Sequence, residues 1–100
     1  MILNYTIDMA LESYSIMLFY IANDSQSLIA ENVLKNLVDK FPLVKFYKTD
    51  ISEDTAVADK YSVYSVPKLV LFKDGEILDS ILGLASIEVV KDFIQSYVGE

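Results

Sequence analysis

Apolar residues in this chain fall into short blocks separated by polar clusters, and the spacing inside each block predicts its element. Ser15 to Ala22 (SIMLFYIA) is almost continuously apolar. A run of about eight such residues predicts a strand buried on both faces, as in a sheet covered by helices. Ahead of it, Met1 to Tyr5 predicts a short strand, and Ile7 to Glu12 a short helix with Thr6 as its N-cap. Beyond it, Asn23 followed by Gln26 resembles a capping box. Ile29, Val33 and Leu37 then recur at spacing four, predicting an amphipathic helix that ends near Lys40, before Pro42.

Leu43 to Lys48 reads as the next strand, and Asp50 to Lys60 as a helix with Ser52 at its cap and Ala56, Val57 and Ala58 in its body. Lys68 to Lys73 and Glu76 to Leu82 are strands joined by Asp74-Gly75, the pair that a tight antiparallel hairpin requires because both residues tolerate positive φ. Ser86 caps a last helix reaching Val98, with Ile87, Val90, Ile94 and Tyr97 along one face. The order is β-α-β-α-β-α-β-β-α. Alternation predicts parallel pairing first and an antiparallel edge after it, an α/β fold with a central mixed sheet flanked by helices.

Composition narrows the function more than the fold. One hundred residues, 53% of them apolar, predict a single domain over 1–100 with a core that needs no metal or disulfide. No stretch approaches the ~18 apolar residues of a membrane span. The first residues lack a basic region followed by a long apolar run, so no signal peptide is expected, and a cytoplasmic location follows as the default. The chain has no cysteine or histidine, which excludes imidazole triads, thiol nucleophiles and Cys/His zinc sites. Its three glycines cannot write a dinucleotide loop or a P-loop. A net charge of −7, with eight lysines spread singly, argues against nucleic acid as a partner. No cofactor and no metal is expected.

Lys60-Tyr61-Ser62-Val63-Tyr64-Ser65-Val66-Pro67, the strand Lys68 to Lys73, and Asp74-Gly75-Glu76 carry a resemblance. With Gly83 and the aromatic pair Phe19-Tyr20, they make nearly the whole chain similar to the thioredoxin family. The resemblance implies the thioredoxin-like three-layer sandwich. It also aligns the family's Cys-Gly-Pro-Cys with Asp24-Ser25-Gln26-Ser27, its buried carboxylate with Leu18 and the paired lysine with Phe46. Nucleophile, resolving thiol and proton relay are thus all replaced. Ser27, with no histidine to activate it, is no substitute. On this reading the chain is not an enzyme of the dithiol–disulfide class.

The plain account of Asp24 to Ser27 is a helix cap. The other is a surface that once exchanged thiols and now only binds. The resemblance implies a cis Val66–Pro67 bond, against about 5–6% for X-Pro bonds in general. It also implies that the residue before the proline offers its backbone to an extended peptide. Asn23, Asp24, Tyr64, Val66, Pro67, Gly83 and Leu84 would form that groove, and its occupant would be a protein or peptide segment. Two alternatives stand beside it. One is a carboxylate and metal-dependent enzyme using Asp50, Glu53 and Asp54, or Asp74, Glu76 and Asp79. The other is a homodimer or other self-associating module built on an apolar face, with Tyr47, Tyr61, Tyr64 and Tyr97 as contributors.

Overall fold

The computed structural model describes residues 1–99. Five strands form one sheet in the order β1-β3-β2-β4-β5: β1 Ile2–Asn4, β2 Tyr14–Tyr20, β3 Lys45–Asp50, β4 Lys68–Lys73 and β5 Glu76–Leu82. β1 and β2 both run parallel to β3, β4 runs antiparallel to β2, and β5 antiparallel to β4. Three helices accompany them: α1 Ser25–Lys35, α2 Thr55–Tyr61 and α3 Ile87–Val98, with a 3-10 turn at Val38–Lys40. The α/β architecture with a mixed central sheet is the one the alternation implies.

β2 explains why both faces need covering. Successive side chains of a strand point to opposite faces. Ile16 and Leu18 accordingly join one apolar cluster, with Leu34 of α1 and Val90 and Ile94 of α3. Met17 and Phe19 join the other, with Tyr5, Val57 of α2, Val70 and Phe72. The unbroken apolar run is therefore the central strand of a two-faced core.

Local chemistry is realised most directly at the C-terminal end. Asp74 and Gly75 take φ of 51° and 85° in the β4–β5 turn. Leu71 opposes Asp79 while Phe72 opposes Ile77, so Leu78 is an extra residue in the edge strand. The Ser86 side chain caps α3, accepting the Val89 N–H at 3.2 Å.

Five expectations are corrected. Residues 7–12 form one turn at Ile7-Asp8 followed by irregular chain, and not a helix. A segment that short is marginal as an isolated helix, and here it is shaped by what holds its ends. Tyr5 and Leu11 are buried, the Tyr5 hydroxyl donates to the Met9 carbonyl, and Ser13 exchanges hydrogen bonds of 2.8 Å with Asp74. The cap of α1 is Asp24 and not Asn23, which has φ of 68°. The buried face of α1 is Ser27, Ala30 and Leu34; of the expected stripe Ile29 is exposed, while Val33 packs partly buried against the core and Leu37 is buried just beyond the helix. The cap of α2 is Asp54, accepting the Val57 N–H, so the helix starts at Thr55 and Ser52 lies outside it. β3 also starts and ends two residues later than the apolar run suggests.

Candidate functional site

Three chain segments leave the sheet at one end and meet there. The β2–β4 ladder pairs Phe19 with Lys68, and the β4–β5 ladder pairs Lys68 with Leu82. The Phe19–Lys68 pair is the last rung before the rim, so the residues that follow Tyr20 and those that precede Lys68 leave neighbouring strands at the same end. On the other side, Gly83 donates its N–H to the Pro67 carbonyl at 2.8 Å. The loop after β2, the segment before β4 and the loop after β5 thus share one rim.

The first loop is held by the residues that the family resemblance aligns with two cysteines. Asp24 Oδ2 accepts the Ser27 N–H at 2.9 Å, and Ser27 Oγ accepts the Ile21 N–H at 3.2 Å. Ser27 is 1% exposed, whereas Asn23, Ser25 and Gln26 are exposed and Asp24 is half-buried. Both substituted side chains are therefore occupied in closing the turn. Leu18 and Phe46, the positions aligned with a carboxylate and a lysine, are fully buried in one apolar cluster. Neither can carry a proton there.

The second segment supplies an open backbone edge. The Val66–Pro67 bond is cis. Among the described residues, no protein group pairs with the Val66 N–H or C=O. The Val66 side chain packs against the α2-side core, and Pro67 is buried. Tyr64 is 73% exposed and Leu84 45%. Gly83 has φ of 88°, and a Cβ there would meet nothing within 4 Å. The backbone edge is flanked by exposed apolar side chains.

A separate cleft of about 290 Å³ lies between β1, β2 and the start of α2, lined by Asn4, Tyr5, Tyr20, Asp50, Glu53 and Asp54 among others. None of the Val66 rim lines it. Two of its three carboxylates, Asp50 and Asp54, are committed to hydrogen bonds within the fold. Asp50 Oδ2 accepts the Ala22 N–H at 3.0 Å, and Oδ1 accepts both the N–H and the hydroxyl of Ser52 at 2.9 and 2.6 Å. Burial pushes the Asp50 carboxyl up, but these hydrogen bonds outweigh it and hold the carboxyl below its ordinary value. Asp54 caps α2, Asp74 accepts the Ser13 N–H, and Asp79 accepts the Ser80 N–H and the Tyr97 hydroxyl. Among the described residues, no three His, Cys, Asp or Glu side chains are grouped so as to hold a metal ion.

Two features had no signal in the sequence. Asp50 reads there as one acid among several, and its contact with Ala22 spans 28 positions. Lys48 donates to Glu31 at 2.8 Å from 17 positions away, and this bond, working against burial, raises its pKa.

A family model described as Thioredoxin matches residues 19–96. The chain belongs to the thioredoxin family. Thioredoxin M4, chloroplastic, of Arabidopsis thaliana is 35% identical over 72 residues, 72% of this chain and 36% of that protein. Thioredoxin of Chlamydia pneumoniae is 35% identical over 65 residues, 65% of this chain and 64% of that protein. The chain thus spans between about a third and two-thirds of the length of these relatives. Among solved structures, a point-mutant thioredoxin from Halobacterium salinarum superposes with a TM-score of 0.80 at 32% identity, covering 86% of this chain and 75% of that one. Mitochondrial thioredoxin 3 from Saccharomyces cerevisiae gives 0.77 at 26%, covering 85% and 79%.

These findings correct the expectation that the chain is not an enzyme. Its family model and its relatives carry the name thioredoxin, and the chain spans only part of the length of those relatives. The sequence carries no thiol of its own. Among the described residues, no helix of this thioredoxin-family chain is long and apolar enough to cross a membrane.

Proposed function

We propose that this thioredoxin-family domain recognises extended polypeptide segments through main-chain pairing at Val66. The observation that carries the reading is the unpaired N–H and C=O of Val66 on a rim where Tyr64 and Leu84 stand exposed. An extended segment added along a free backbone edge gains hydrogen bonds from its main chain and selectivity from alternate side chains. Apolar and aromatic neighbours suit such contact. Nothing in this recognition step requires a thiol.

The test is titration of the ¹⁵N-labelled protein with a permanently unfolded polypeptide, S-carboxymethylated α-lactalbumin, which offers no disulfide. Amide shifts concentrated at Tyr64, Val66, Gly83 and Leu84, and weakened in a Tyr64→Ser/Leu84→Ser variant, are the expected result. Shifts confined to another face, or equal in wild type and variant, sink the reading.

A further inference from the structure

Among the described residues, no lysine pairs with Asp24, the carboxylate at the N-terminus of α1 on the Val66 rim. Asp24 uses Oδ2 to cap α1, and its other oxygen has no partner among the described residues. The ion pairs of the described residues involve Lys35 and Lys48, both on Glu31. Lys68 is next to Pro67, but it shares strand parity with Val70 and Phe72, whose side chains lie on the α2 side of the sheet, away from α1. The Asp24 N–H donates to the Ile21 carbonyl at 3.2 Å, so Asp24 sits in the turn directly after β2, the strand paired with the β4 that Val66 and Pro67 lead into. The buried Asp50 carboxylate, bonded to the Ala22 N–H, adds a second negative charge beneath the same loop. The chain as a whole carries −7.

From this juxtaposition we infer that the segment received at Val66 is an apolar one bearing a lysine or arginine, whose cationic head meets Asp24. The inference rests on the groove reading above and names its preferred occupant. Tyr64 and Leu84 receive the apolar flanks. Asp24 follows β2 and Val66 precedes the neighbouring β4, so a long, flexible basic side chain near the residue paired to Val66 is the group suited to reach for Asp24. Complementary charge raises the encounter rate and selects against acidic competitors. A carboxylate in the partner would meet Asp24, Asp50 and the net field together.

Three fluorescent nonapeptides, identical but for a central Lys, Gln or Glu between valines, provide the test by anisotropy and by amide shifts. The Lys peptide is expected to bind about fivefold tighter than the Gln peptide, with Glu weakest, as one partly exposed ion pair allows. Raising salt from about 50 to about 500 mM should erode that advantage by screening. Asp24→Asn, a substitution that keeps a good N-cap, should bring the Lys and Gln peptides to one affinity, with the melting temperature confirming the fold. Equal affinities in the wild type, or a Lys preference that survives Asp24→Asn, overturn the inference. If the Val66 amide still shifts with all three peptides in that case, the groove reading stands without it. If no peptide moves Val66 or Tyr64, both fall.

Discussion

Asp50 accepts the backbone N–H of Ala22 across 28 residues of sequence, at 3.0 Å, and so ties the turn after β3 to the loop that opens α1. One buried carboxylate thereby fixes the loop that carries Asn23 and Asp24 beside the Val66 rim. The same side chain satisfies the Ser52 N–H and hydroxyl, which makes it a joint between two loops.

Asp50→Ala removes the shared acceptor of three part-buried hydrogen bonds and is expected to cost about 2 kcal/mol, read as a fall in the urea midpoint. The pH dependence follows from the direction of its shift. The folded carboxyl titrates below the ordinary 3.8, so its contribution is fully present above about pH 4 and is lost as pH falls through the folded value. Asp50→Asn should make the acid limb of the stability profile shallower. An unchanged acid limb would count against the joint.

Ser27→Ala leaves the half-buried Ile21 N–H without its acceptor. A loss of about 1–2 kcal/mol is expected. Asp24→Ala removes only the cap and should cost about 1 kcal/mol. Hydrogen exchange at Ile21 and Ser27 distinguishes the two, since each substitution should accelerate the amide whose acceptor it deletes.

Tyr5 gives the alkaline side. Burial pushes its phenol up to about 12, so the fold favours the protonated form. That stability is fully present below pH 10 and is lost as pH rises through about 12. Tyr5→Phe should flatten this part of the alkaline decline, leaving the parts due to Tyr20, raised first by burial, and Tyr97, raised by its bond to Asp79. Urea midpoints at about pH 9 and about pH 11.5 provide the check.

Leu18 stands where the resemblance aligns a carboxylate, yet it is fully buried among aliphatic neighbours. Leu18→Ala is expected to cost about 2–5 kcal/mol through lost transfer energy and a cavity. Leu18→Asp should cost more, because Phe46 offers the charge no partner. A Leu18→Asp variant as stable as Leu18→Ala at neutral pH would show that this position still tolerates a charge.

Elements whose signals are local were legible residue by residue. The Asp74-Gly75 turn, both flanking strands and the Ser86 cap of α3 need only φ preferences, alternation and a side chain reaching its own helix. The central strand was legible too, since an apolar run without alternation admits few other places in an α/β sheet. The fold and the family resemblance followed from these together, as did the replacement of every thiol.

What only the tertiary structure decided are the points where one element's fate depends on another. Residues 7–12 gave up a weak helix because Leu11 and Ser13 are held by the core and by Asp74. α1 turns Ser27 and Ala30 inward and leaves the larger Leu28 and Ile29 exposed. Asp50 became a joint, and Val66 an open edge beside Asp24, through ladder registers linking strands tens of residues apart. A sequence pattern records each residue's own preference, whereas these outcomes come from which distant groups must share one buried volume and satisfy one another's hydrogen bonds.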